Sequence, residues 1–185
     1  GFNNEGLEGF VARLEAGAQA AGVVGANVGA NKVSEGADRV ADYVTGLQAV
    51  WPHCSYVTIN ISSPNTPGLR GLQERGALEE LLGAVSVAAV QATQAHGARP
   101  LFLKIAPDVD ETAVRDIVEV ALKTDRLTGL IVSNTTIERP DSLQSAHRTQ
   151  AGGLSGKPLF ERSTDVLRQV AVAVDGRLDL IGAGG

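Results

Sequence analysis

Methionine is absent from the 185 residues, cysteine occurs once, and phenylalanine, tyrosine and tryptophan together make up only 4%. The lone Cys54 excludes an internal disulfide, and His53, His96 and His147 stand too far apart for the spacing of a metal site, so no metal is expected. No apolar run approaches the roughly 18 residues that would suggest a membrane-spanning helix. Basic residues are also in short supply: 16 Lys and Arg face 21 Asp and Glu, a net charge of -5. Without a basic stripe to neutralise phosphates, nucleic acid is not an expected partner, and any anionic ligand must be met by local groups. The missing methionine, the opening Gly-Phe-Asn-Asn and the closing Gly-Ala-Gly-Gly lead us to expect an internal piece of a longer chain.

What is present is enough for a core. With 43% hydrophobic and 20% charged residues, the chain has the composition of a soluble globular domain, and one domain over residues 1–185 is the expectation. Leu7, Phe10, Val11 and Leu14 recur at the i, i+3, i+4, i+7 spacing of an amphipathic helix, and 23–28 follows as a short strand-like run. Ser34 is positioned to cap a second helix with Val40, Val44, Leu47 and Trp51 on its inner face, before a strand over 56–61. Leu78, Leu81, Leu82 and Val85 mark a third helix before a strand over 101–106. Val114, Ile117, Val118 and Ala121 mark a fourth before 129–133. Pro158 suits the first turn of a fifth helix through Val166, Leu167, Val170 and Val174, which leads to 178–182.

Near-continuous apolar strands alternating with helices imply a parallel sheet covered by crossover helices. The placement of polar residues favours a barrel over a doubly wound sheet. Asn27, the 60–65 segment, Lys104, the 133–135 segment and 182–185 all lie at or just past the carboxyl ends of their strands. A barrel brings those ends to one mouth, whereas a doubly wound sheet gathers ligand contacts mainly at its switch point. A (β/α)8 TIM barrel of which about five of eight βα units are present is therefore the expected fold.

Some of these residues carry chemistry by type alone. Asparagine amides offer both donors and an acceptor, so several of them at one mouth suit a polar ligand. Lys104 interrupts the run Leu101-Phe102-Leu103, and a charge in a buried strand is costly unless a polar ligand or counter-charge meets it. Gly152 to Pro158 fails the Walker pattern, since Ala151 stands where its first glycine belongs and Pro158 follows Lys157. Glycines before a helix still let backbone N–H groups approach a phosphate. Ser62-Ser63-Pro64-Asn65 on its own also suits an ordinary turn.

In combination the motifs are more specific. The order Asn-Ile-Ser-Ser-Pro-Asn-Thr-Pro-Gly-Leu-Arg from Asn60 to Arg70 resembles the active-site loop of class 2, quinone-linked dihydroorotate dehydrogenases. Gly1-Phe2-Asn3-Asn4, Asn27-Val28-Gly29, Lys104-Ile105-Ala106-Pro107-Asp108, Asn134-Thr135-Thr136, Gly152 to Pro158 and Ile181-Gly182 follow in that family's order. The resemblance implies FMN as cofactor, oxidation of dihydroorotate to orotate in pyrimidine synthesis, and a quinone as final electron acceptor. It places Ser63 as the catalytic base, where the related soluble class has cysteine; Cys54 lies before the strand, at the wrong end. It places Gly1, Phe2, Asn60, Asn65, Asn134 and Thr135 on the substrate, and Asn27, Asn60, Lys104, Ser133, Gly156 and Gly185 on FMN. Quinone and a peripheral membrane surface would be met through an amino-terminal helical segment that these residues do not include.

Two positions depart from the family pattern. Ser133 keeps the hydroxyl of a more usual threonine, and Ala30 replaces a lysine of the Gly-Lys-Asn-Lys turn. Other readings are an inactive flavin- or ligand-binding fragment and a related FMN barrel oxidoreductase. An unrelated phosphosugar barrel would explain the glycines but not Asn60 to Thr66 or Lys104.

Overall fold

Helix-strand alternation of the expected kind runs through a computed structural model that describes residues 5–17 and 22–185. The elements are α1 (Gly6–Gly17), β1 (Gly25–Val28), α2 (Gly36–Val50), β2 (Tyr56–Asn60), α3 (Arg75–His96), β3 (Leu101–Ile105), α4 (Glu111–Lys123), β4 (Gly129–Val132), α5 (Lys157–Val174) and β5 (Asp179–Gly182). Two 3-10 turns, Trp51–His53 and Leu69–Gln73, lie between α2 and β2 and between β2 and α3.

The helices form where spacing and end chemistry agree. In α4 the Asp110 side chain accepts from the Ala113 N–H at 2.8 Å, capping the first turn, and Val114, Ile117, Val118 and Ala121 are buried on one stripe. In α5 proline occupies the first turn, and the helix stops where Asp175 adopts φ 50° and Gly176 φ 70°. The second helix departs from expectation. Ser34 does not cap it; Glu35 occupies the N-cap without a side-chain hydrogen bond. Ser34 instead closes a turn, its N–H bonding the Asn31 carbonyl while its own carbonyl accepts from Arg39. Trp51 lies beyond α2 in the 3-10 turn, still fully buried, with its indole N–H bonded to the Gly97 carbonyl at 3.0 Å. The first strand is also shorter than expected, since Val23 and Val24 precede it and are exposed.

All five strands are parallel and hydrogen-bonded in the order β1-β2-β3-β4-β5. A doubly wound sheet reverses its order at a switch point; this one never does, so each unit is added on the same side, as in a barrel wall. Successive helices pack on one another, α2 on α3, α3 on α4 and α4 on α5, and so cover a single face. This is the architecture of consecutive units of a (β/α)8 barrel.

Strand alternation gives the sheet two unlike faces. Toward the helices point Ala26, Val28, Val57, Ile59, Leu101, Leu103, Ile105, Leu130 and Val132, all within the main hydrophobic core. Gly46 of α2 lets that helix approach β1, because a Cβ there would stand 2.6 Å from a Val28 methyl. The other face carries Asn27 beside Thr58, Thr58 beside Phe102, Asn60 beside Lys104 and Lys104 beside Ile131. None of these belongs to the helix-side core.

Candidate active site

The polar face and the loops at the carboxyl ends of β2, β3 and β4 build one site. Asn60 ends β2 and is buried; its Oδ1 accepts from the Ser62 N–H at 3.1 Å and the Ser62 hydroxyl at 2.9 Å. From the end of β4, the Asn134 amide donates to Ser62 Oγ at 3.0 Å and lies 3.5 Å from Asn60 Oδ1. The Asn134 Oδ1 in turn accepts from the Thr135 N–H at 2.8 Å. Asn60 is steadied from the helix side as well, because the buried Tyr43 hydroxyl donates to its carbonyl at 2.7 Å. Burial pushes the Tyr43 phenol well above its usual range, which keeps it a neutral donor.

Ser63 is buried, and its hydroxyl oxygen accepts from the Asn65 N–H at 3.3 Å. An N–H aimed at that oxygen favours developing negative charge on it. Asn65 itself is exposed, with its Oδ1 toward Gly152; a Cβ at Gly152 would lie 3.4 Å from that oxygen. Gly153 is tighter: a Cβ there would fall 1.9 Å from Thr135 Oγ1 and 3.2 Å from Pro64 Cγ. Only glycine allows the long 133–156 connection to lie against both the Ser63 loop and Thr135. That connection is pinned by paired backbone bonds between Thr136 and Leu154, and Arg139 clasps its neck by donating to the carbonyls of Gln150 and Gly152.

Lys104 sits beside Asn60 in register and is half-buried. No hydrogen bond or ion pair reaches its side chain among the described residues, and burial alone pushes its ammonium below the usual lysine range. A desolvated cation without a counter-charge is a prepared position for an anionic or electron-rich ligand. Ser133 is buried after β4, its hydroxyl donating to the Asn134 carbonyl at 3.1 Å, and the peptide before it is cis.

At the far side of the mouth, Gly156 starts α5 with φ 80°, no side-chain cap and open space where a Cβ would be. Gly184 and Gly185, with φ of 121° and 118°, run against Leu159, Phe160 and Ser163 in the first turns of the same helix. Uncapped N–H groups at a helix start beside left-handed glycines suit a phosphate.

The structure thus joins Asn60, Ser63, Asn65, Asn134 and Thr135 in one cluster, with Lys104 next to Asn60. Gly156 and Gly185 form a separate corner by α5, and Asn27 lies exposed on the same sheet face. Gly1 and Phe2 lie outside the described residues. Three participants were not singled out from sequence: Ser62, the hub between the two asparagines, and the pair Arg70 and Asp108. The Arg70 guanidinium donates to the carbonyls of Ser62 and Thr135 at 3.3 and 2.9 Å and is ion-paired with Asp108. Asp108 was signalled by a charge just past the end of β3; the uncharged Ser62, and Arg70 inside the 3-10 turn Leu69–Gln73, carried no such signal.

The mouth thus brings together a desolvated lysine, an asparagine–serine cluster and, in a separate corner, a glycine-lined helix start. Comparison with known proteins gives the family. The dihydroorotate dehydrogenase family matches residues 1–185. A dihydroorotate dehydrogenase (quinone) of Allorhizobium ampelinum is 54% identical over 186 aligned positions, covering 100% of this chain and 50% of the relative. One of Agrobacterium fabrum is 53% identical with the same coverage. The crystal structure of DHODH from Eimeria tenella in complex with ferulenol superposes with a TM-score of 0.89 at 37% identity, covering 100% of this chain and 55% of that one. The chain belongs to the dihydroorotate dehydrogenase family, and it spans about half the length of the curated relatives it matches.

Proposed function

We propose that the protein to which these residues belong oxidises dihydroorotate to orotate with FMN as hydride acceptor and passes the electrons to a quinone, in pyrimidine synthesis. The observation that carries this reading is the hydrogen-bonded Asn60–Ser62–Asn134 cluster, with Ser63 next to Ser62 in the chain and Lys104 beside Asn60 in register. The 185 residues supply part of one FMN-binding barrel domain. Quinone and the membrane surface, where the protein associates peripherally, are met by a helical segment outside these residues. Among the described residues no helix is long and apolar enough to cross a membrane.

The reaction removes a proton from one ring carbon and a hydride from its neighbour. Ser63 takes the proton. Its oxygen, held by the Asn65 N–H, must pass the proton onward, because a serine hydroxyl is a weak base at its free pKa. Asn60, Asn65, Asn134 and Thr135 orient the ring; their amides and hydroxyl match its alternating carbonyl and N–H groups. Gly1 and Phe2 are assigned to the substrate with them. FMN, when bound, supplies a two-electron sink for the hydride. The residues fit it: Lys104 offers an unpaired, desolvated cation for the electron-rich ring, and Asn27, Asn60 and Ser133 offer polar contacts on the same side. Gly156 and Gly185 offer backbone room for its phosphate at the start of α5.

The test is anaerobic addition of dihydroorotate to the full-length, FMN-loaded protein. The full-length protein is required because β1 and β5 are each paired on one side only among the described residues. Bleaching of the flavin with formation of one orotate per flavin is expected. A flavin that stays oxidised with dihydroorotate but is reduced by another substrate would reassign the protein to a related barrel oxidoreductase.

A further inference from the structure

Arg70 and Asp108 lie 38 positions apart and touch no residue assigned to the cofactor, yet their side chains are only 20% and 13% exposed. Each of the three guanidinium nitrogens has its own partner on a different strand-end loop. Nε donates to the Ser62 carbonyl after β2, one η nitrogen pairs with Asp108 after β3, and the other donates to the Thr135 carbonyl after β4. Asp108 reaches the same third loop independently. One carboxylate oxygen accepts from the Thr136 hydroxyl, and the other accepts from the Ile137 N–H at 3.1 Å as well as from Arg70. The pair therefore holds the residue immediately before Ser63 and three successive residues after β4, at the Thr135 carbonyl, the Thr136 hydroxyl and the Ile137 N–H.

Arg70 is braced in turn. Its carbonyl accepts from the Gln73 amide, and Gln73 Oε1 accepts from the Ala106 N–H at 2.9 Å, fixing the 3-10 turn Leu69–Gln73 to the end of β3. A guanidinium offers five donors in a rigid plane, whereas an ammonium is a point charge that cannot reproduce three divergent contacts.

We propose that the Arg70–Asp108 pair is a positioning element that sets the separation between the Ser63 loop and the Asn134–Thr135 turn, and so the placement of base against substrate. The proposal rests on the assignment of Ser63 and Asn134 made above. A helix- or core-stabilising ion pair would have its contacts on structural backbone; this one spends its donors on the two segments between which a substrate ring must fit. Small displacements there act on rate more strongly than on fold, because a reacting geometry is lost over about 1 Å.

The test uses the full-length, FMN-loaded protein with Arg70→Lys, Asp108→Asn and the double variant. Anaerobic flavin reduction by dihydroorotate should slow about a hundredfold in each single variant. Orotate binding, read from the flavin spectrum, should weaken about tenfold. FMN content and reoxidation of the reduced flavin by a quinone should be unchanged. The double variant should be no slower than the worse single variant by more than about threefold, because the two residues act as one unit. Reduction and orotate binding retained within about threefold, even with lowered thermal stability, would make the pair a structural clamp and overturn the proposal. If dihydroorotate fails to reduce the wild-type flavin, the functional reading fails instead. The positioning claim is then read from hydrogen exchange: Asp108→Asn should deprotect residues 62–66 and 134–137 together, and a change confined to one segment would overturn it.

Discussion

The two faces of the sheet are made from the same strands and obey opposite rules. On the helix side, Val57, Ile59, Leu101, Leu103, Ile105 and Leu130 are completely buried and belong to one core. On the other side, at alternate positions, stand Thr58, Asn60 and Lys104; the Asn60 amide oxygen is hydrogen-bonded by Ser62, while no partner reaches the Lys104 side chain among the described residues. Burying an aliphatic side chain stabilises a fold by about 1.5–3 kcal/mol, while burying an unpaired ammonium costs free energy. The helix face therefore holds the fold together, and on the reading proposed above the polar face serves a ligand.

This contrast is open to direct attack. Leu101→Ala on the helix face should lower unfolding stability by about 2–5 kcal/mol in denaturant titration. Its rate of flavin reduction, measured on the folded fraction of the full-length protein, should stay at the wild-type value. A slowed reaction with normal stability would break the division between faces. Lys104→Met on the polar face should do the reverse. FMN affinity should fall at least about tenfold in equilibrium titration, the scale of a lost charge-assisted contact. The flavin-free protein should be no less stable than wild type.

Asn134→Ala should weaken orotate binding by about tenfold in a spectral titration, as expected for one half-buried hydrogen-bonding group. It should leave FMN content unchanged. The smallest expected effect is a pH dependence. Because burial lowers the folded-state pKa of Lys104, the unfolded state holds more protons in the window between that lowered value and the unfolded value near 10.4. The lysine's penalty is then full below the folded pKa and relieved as pH rises through the window. Stability of the flavin-free protein should accordingly climb with pH relative to Lys104→Met, and the difference should vanish above the window. Parallel curves for the two proteins would mean that Lys104 is not desolvated.

Much of the fold was legible because it is periodic. The stripes Val114, Ile117, Val118, Ala121 and Leu78, Leu81, Leu82, Val85 are buried as their spacing requires, and polar residues closing each apolar run marked the strand ends. Local chemistry misled at Ser34, where a serine ahead of an apolar stripe looks like a cap. There the chain uses it to close a turn, and the helix starts two residues later. That Asn60, Ser63, Lys104 and Asn134 lie at or just past strand ends was legible from the pattern, while the roles expected of them came from the family resemblance. What no periodicity encodes is contact between distant loops: Asn134 with Ser62, Arg70 with Asp108, and Gly153 against Thr135. Those pairings depend on sheet register and on the course of the 133–156 connection.

The central claim is that the polar face is a catalytic surface with Ser63 as its base, and Ser63→Ala in the full-length protein addresses it most directly. Anaerobic stopped-flow reduction of the flavin by dihydroorotate should fall by at least about a thousandfold, within the range for removal of a general base. FMN content and thermal stability should be unaltered. Reduction at close to the wild-type rate, with flavin bound and the protein folded, would contradict the account.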